Sequence, residues 1–149
     1  MKLKIRPVSP RIGGGLPFPF YASAGAAAMD LCACVDEAVT IAPQQIVSLP
    51  TGIAIALPSA EYVALVFARS GLGIKHGVAL ANGVGVIDSD YRGEIRVGLV
   101  NQSQTPYTVQ PGDRIAQLAV MPVVQAELEI TDTLDETQRG AGGFGSTGK

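Results

Sequence analysis

The feature that most constrains the fold is a hydrophobic period of two. Val63, Leu65 and Phe67 alternate through residues 62–68, and Ile95, Val97 and Leu99 alternate with Glu94, Arg96 and Gly98. Ile53, Ile55 and Leu57 repeat the pattern after Thr51-Gly52. Successive side chains of a strand point to opposite faces, so this alternation marks half-buried strands. Residues 3–8, 29–35, 39–42, 46–48, 107–109, 115–121 and 126–130 are further expected strands. Turn formers such as Ala42-Pro43-Gln44-Gln45, Leu57-Pro58-Ser59 and Pro111-Gly112-Asp113 separate them. The 18 Gly and 10 Pro in 149 residues suit short strands and tight turns better than a helix bundle. One all-β domain follows, a sandwich, jelly roll or barrel. A single short helix is expected over residues 70–75, with Ser70 as its N-cap.

Charge and cysteine usage exclude several classes. A net charge of −2 gives no reason to expect a nucleic-acid surface. Any phosphorylated ligand must therefore meet a local concentration of cations. Cys32 and Cys34 are spaced C-x-C on an expected strand, so they point to opposite faces and disfavour a disulfide. With one histidine, His76, a metal site built from side chains is not expected. The N-terminal residues carry charges but no apolar h-region, and no apolar run reaches the length of a membrane span. A cytoplasmic location without membrane contact is the expectation.

Three segments carry candidate chemistry. Residues 139–149 crowd five glycines, Phe144, Ser146, Thr147, Arg139 and Lys149 into a stretch that cannot fold alone. Such a segment orders against a ligand with phosphates and a flat ring, or stays disordered as a solubilising terminus. Gly143 to Lys149 also matches most of a phosphate-binding loop, but the given chain ends where its helix would start. Residues 81–94 read as a β-hairpin, in which Gly83 and Gly85 allow close approach of a flat ligand. There Asp88 and Asp90 share one side of an extended segment, with Tyr91 on the other, or the aspartates simply satisfy a turn. Arg69-Ser70-Gly71 ends an apolar strand and opens a helix, offering a cation and backbone donors to a phosphate.

Taken together, the motifs resemble the homotrimeric dUTPases, deoxyuridine triphosphate nucleotidohydrolases. The chain carries Ser23-Ala24-Gly25-Ala26-Ala27-Ala28-Met29-Asp30-Leu31, then Arg69-Ser70-Gly71-Leu72, then Gly85-Val86-Ile87-Asp88-Ser89-Asp90-Tyr91-Arg92-Gly93. Pro111-Gly112-Asp113-Arg114-Ile115-Ala116-Gln117-Leu118 and Arg139-Gly140-Ala141-Gly142-Gly143-Phe144-Gly145-Ser146 complete the series in order. Ala28 replaces a usual Gly, and Ala68 a frequent Pro. The stretch 10–20 matches no pattern.

The resemblance implies a distorted jelly-roll β-barrel over residues 1–138 and a flexible lid over 139–149. It implies hydrolysis of dUTP to dUMP and pyrophosphate with Mg²⁺, in sites shared between subunits of a homotrimer. Asp88 would be the general base. Asn82, Val86 and Ile87 would read uracil, and Tyr91 would pack against the deoxyribose. Arg69, Ser70, Gly71, Gln117 and Arg96 would face the sugar or phosphates, with Asp30 reaching the metal through water. Phe144 would stack on uracil and Arg139 would meet the γ-phosphate, while Gly145, Ser146 and Thr147 belong to the closing segment. A dCTP deaminase and a non-catalytic nucleotide-binding module on the same scaffold are the alternatives.

Overall fold

A computed structural model describes residues 1–143, in eleven strands and one short helix. Strand β1 (Lys4–Pro7) pairs antiparallel with β5 (Ile53–Ala56), and β3 (Val39–Ile41) with β10 (Tyr107–Val109). Strand β9 (Arg96–Asn101) runs between β4 (Ile46–Pro50) and β7 (Val78–Leu80). The largest ladder has the order β2 (Met29–Cys32), β11 (Arg114–Pro122), β6 (Tyr62–Phe67), β8 (Gly85–Ile87). These four ladders enclose one apolar core without closing into a single hydrogen-bonded ring.

The period of two is realised most clearly in β9, where Val97, Leu99 and Asn101 are buried and Arg96 is exposed. Leu31, Ile41, Ile53, Ile115 and Leu118 reach the same core from the other ladders. Asn101 is fully buried among them and satisfied at every atom. Its Nδ2 donates to the carbonyls of Ile41 and Thr105, and its Oδ1 accepts from the amide and hydroxyl of Ser103. An unpaired amide there would carry its full desolvation penalty, so this one side chain holds the end of β9, β3 and the 102–105 turn together.

Helix α1 (Ser70–His76) buries only Leu72 and ends on Gly77, whose left-handed conformation lets its N–H reach the carbonyls of Gly73 and Leu72. Its N-cap position is Arg69, not Ser70, and no side chain caps it. The Arg69 guanidinium is drawn instead to Asp30.

Two other expectations are corrected. Residues 81–94 do not pair with themselves, because β8 joins β6 while β7, just upstream, joins β9. The segment therefore crosses between two ladders. Residues 126–130 form no strand: Leu128 and Ile130 are 89% and 99% exposed, and no strand of the same chain lies beside them. Strand β7 was too short to register as a period. Cys32 and Cys34 are free and buried, as the spacing suggests.

The unmatched stretch 10–20 is a plug. Ile12 and Leu16 are buried and bridge each other, while Arg11 binds the Val35 carbonyl and pairs with Asp36 at 3.0 Å. Ile12 sits over Gly52, whose φ is +72° and whose imagined Cβ would lie 2.7 Å from Cys34 Sγ and 2.9 Å from Ile12 Cγ1. Gly83 has the same φ of +72° but open space around it. Gly52→Ala is expected to cost about 3 kcal/mol, from backbone strain plus overpacking. Gly83→Ala is expected to cost only about 1 kcal/mol. Urea denaturation of the two variants checks the difference; equal costs would mean that the plug does not press on Gly52.

Candidate active site

The turn after β8 builds one half of the site. Tyr91 N–H donates to the Asp88 carbonyl at 3.2 Å, and the Arg92 guanidinium locks the turn by donating to the carbonyls of Ser89 and Tyr91. A recess of about 120 Å³ lies over β8, lined by Asn82, Gly85, Val86, Ile87 and Arg96 against Val66. It shares Val86, Ile87 and Arg96 with a second recess of about 210 Å³, to which Asp88, Tyr91 and Glu94 contribute. Six of the residues singled out from sequence thus line one continuous surface: Asn82, Val86, Ile87, Asp88, Tyr91 and Arg96.

Glu94 and Arg96 hold this surface to the body. The Glu94 carboxylate accepts from the Gly52 amide and pairs with Arg96 at 3.3 Å, while Arg96 also donates to the hydroxyl and carbonyl of Ser48. Asp88 is exposed, and the four ion pairs of the described residues engage Asp36, Asp30 and Glu94, not Asp88. Its lone pairs remain available to a water molecule.

The second half centres on Asp30, 2% exposed in β2. Its Oδ1 accepts from Arg69 Nε and its Oδ2 from Arg114 Nη1, both at 3.1 Å. Arg69 Nη1 in turn donates to the Arg114 carbonyl at 3.2 Å. Gln117 joins the group through register, lying opposite Asp30 on one side and Phe67 on the other. Ser70 and Gly71 follow Arg69 at the exposed start of α1. Burial, reinforced by the Asp30 carboxylate and opposed by Arg114 and Arg69, pushes the Cys32 thiol above its ordinary range. Cys32 is therefore an inert core residue.

The two halves stay apart within one chain. The recess bearing Asp88 and Tyr91 and the adjoining one bearing Asn82 are lined by none of Arg69, Ser70, Gly71, Gln117 or Asp30. Arg139 is exposed and donates to the Gly142 carbonyl at 2.9 Å. Phe144, Gly145, Ser146 and Thr147 lie outside the described residues. Sequence reasoning missed Arg114 and Glu94. Arg114 stood inside the fourth motif, but its partner lies 84 residues away across a strand pair.

Comparison with known proteins fixes the kinship. A family model described as dUTPase matches residues 16–148. The chain belongs to the dUTPase family. The deoxyuridine 5'-triphosphate nucleotidohydrolase of Acinetobacter baumannii (strain ATCC 17978) is 50% identical over 149 residues, covering 100% of this chain and 99% of its own. The protein of that name from Desulfitobacterium hafniense (strain DCB-2) is 61% identical over 130 residues, covering 87% and 86%. Among solved structures, the fold matches a variant dUTPase of Staphylococcus bacteriophage 80alpha bound to dUpNHpp, with TM-score 0.83, 23% identity and 99% of both chains covered. It also matches a variant dUTPase from phage phi11 of S. aureus that coordinates a structural Mg(II) ion, with TM-score 0.79, 22% identity and 91% and 100% coverage. The dUTPase fold is thus held in common at low identity.

Among the described residues no three His, Cys, Asp or Glu side chains converge on a metal position. This dUTPase instead gathers guanidinium groups beside a single buried carboxylate. Guanidinium groups offer a metal no lone pair, so a magnesium ion at this place would be held mainly by phosphate oxygens and water, the usual habit of this ion. Asp30→Asn leaves both guanidinium groups without their anion. The variant is expected to lose about 3 kcal/mol of stability, read by urea denaturation, and to bind a non-hydrolysable dUTP analogue more weakly. An unchanged transition midpoint would remove the pair from the fold's support.

Proposed function

We infer that this chain hydrolyses dUTP to dUMP and pyrophosphate, which keeps uracil out of DNA and supplies dUMP for dTMP synthesis. The observation that carries the chemistry is Asp88, an unpaired carboxylate at the mouth of a groove lined by Asn82, Val86, Ile87 and Tyr91. Family membership supplies the substrate class. Water attacks the α-phosphorus while Asp88 takes its proton, and pyrophosphate leaves as the bond to the bridging oxygen breaks. Asp30 is a poor candidate for that base, because both of its oxygens already accept from guanidinium groups.

Asn82 and the backbone of residues 86–88 pair with the uracil edge. A site committed to those hydrogen bonds rejects cytosine by leaving donors facing donors, a discrimination on the order of 10⁴. Tyr91 packs against the deoxyribose. Arg69, Ser70, Gly71 and Gln117 take the phosphates, with Arg96 at the edge of the groove. When bound, magnesium would neutralise charge on the triphosphate, and Asp30 would be the side chain that reaches it through water.

The separation of the two half-sites on one chain supports sites completed between copies, and a homotrimer is the proposed assembly. Residues 1–138 form the body and residues 139–149 the closing segment, in which Phe144 stacks on uracil, Arg139 meets the γ-phosphate, and Gly145 and Ser146 close the backbone. The proposed setting is cytoplasmic, with no nucleic-acid or membrane partner; no helix among the described residues is long and apolar enough to cross a membrane.

Pyrophosphate release measured with each dNTP and magnesium tests the reading. Turnover of dUTP alone is expected, without ammonia from dCTP; ammonia release would favour a deaminase, and no turnover a binding module. Asp88→Asn should retain binding of a non-hydrolysable dUTP analogue while kcat falls by about three orders of magnitude or more. Unchanged kcat would take Asp88 out of the reaction. Removal of residues 139–149 should leave a folded assembly with crippled turnover, and full activity would dispose of the closing role.

A further inference from the structure

We propose that Gly93 is a specificity-determining position, and that it acts by letting the Tyr91 ring lie flat against the backbone. The idea rests on the reading that Tyr91 packs against the sugar, and extends it to a residue with no side chain of its own. Tyr91 folds back along the chain, and its hydroxyl donates to the Glu94 carbonyl at 3.0 Å. The ring passes directly over Gly93. A Cβ built there would lie 2.4 Å from the Tyr91 hydroxyl oxygen, 2.6 Å from Cζ and 3.1 Å from Cε2. No side chain larger than hydrogen coexists with that ring position.

The backbone itself does not demand glycine here. Gly93 lies outside the left-handed region, unlike Gly52, Gly77 and Gly83. The obstructed atoms belong to the far end of an exposed side chain, since Tyr91 is 44% accessible. An added methyl is therefore relieved by swinging the ring out of the groove, at little cost to the fold. The carbonyl that anchors the hydroxyl is itself well fixed, because Glu94 is tied to Gly52 and Arg96. Ring position, and with it the space left for a 2′ substituent, is thus set by three consecutive features: a hydroxyl acceptor at 94, an empty Cβ at 93 and the ring at 91.

The test is a double-mutant cycle of Gly93→Ala and Tyr91→Ala, each assayed on dUTP and UTP. Gly93→Ala should raise the ratio of kcat/KM for UTP over dUTP by about tenfold or more, with a thermal midpoint close to that of the parent. Tyr91→Ala should relax the ratio similarly, and the double variant should relax it no further, because both changes act through one ring. If Tyr91→Ala admits UTP and Gly93→Ala does not, the proposal fails while the Tyr91 reading stands. If neither variant admits UTP, sugar selection lies elsewhere and both fail. Additive effects in the double variant, or a Gly93→Ala chain that does not fold, would also overturn it.

Discussion

A single carboxylate organises this chain. Asp30 lies on β2 inside the core boundary, and a charge at 2% exposure is tolerated only with partners. Those partners arrive from two other places: Arg69 from the junction of β6 with α1, and Arg114 from the start of β11. The fork therefore fixes where three elements meet. It also explains the irregularity of β11, whose register with β2 shifts between Arg114 and Ala116. The shift accompanies the turn of Arg114 toward Asp30, while Leu118 and Ile115 stay in the core. Arg69, the cation proposed to meet phosphate at the start of α1, is thus aimed by a residue 39 positions earlier in sequence.

The second organising fact is division of labour among carboxylates. Asp30 is saturated by guanidinium groups, Glu94 by an amide and Arg96, and Asp88 by neither. Three acidic side chains of similar intrinsic chemistry are set apart by surroundings alone, as an anchor, a bracket and the exposed carboxylate proposed as the base. The same logic separates the cations. Arg92 and Arg114 hold backbone and carboxylate in place, while Arg96 borders the groove. Val124, Leu128, Ile130 and Leu134 are exposed, interspersed with polar residues.

Much of this was legible in the sequence where the physics is local. Alternation located most strands, and β10 coincides with its expected bounds. Asn82, Val86, Ile87 and Arg96 were named from the family resemblance, and the structure brings them to one groove with Asp88 and Tyr91. What escaped depended on distant partners. Ser70 looked like a helix cap, yet it is the first helical residue, and the capping position falls on Arg69, whose guanidinium goes to Asp30 far upstream. Residues 81–94 looked like a hairpin, yet pairing was decided by β6 and β9, which no local pattern announces. Residues 126–130 alternate as a strand should, but alternation does not supply a neighbour. The plug at 10–20 was opaque since its meaning lies in the space above Gly52.

That plug has a consequence for how the molecule breathes. Cys34 Sγ and Ile12 both crowd Gly52, so the thiol takes part of its cover from a short segment as well as from the core. Phe20, at the end of the same stretch, bridges Asp30 on β2, so loosening of residues 10–20 would also reach the edge of the largest ladder. Cys32, a neighbour in sequence, sits on β2, where exposure requires separation from β11. The two thiols, equally buried at 9% exposure, would thus report on different neighbours, Cys34 on the plug with its part of the core and Cys32 on the β2–β11 pairing.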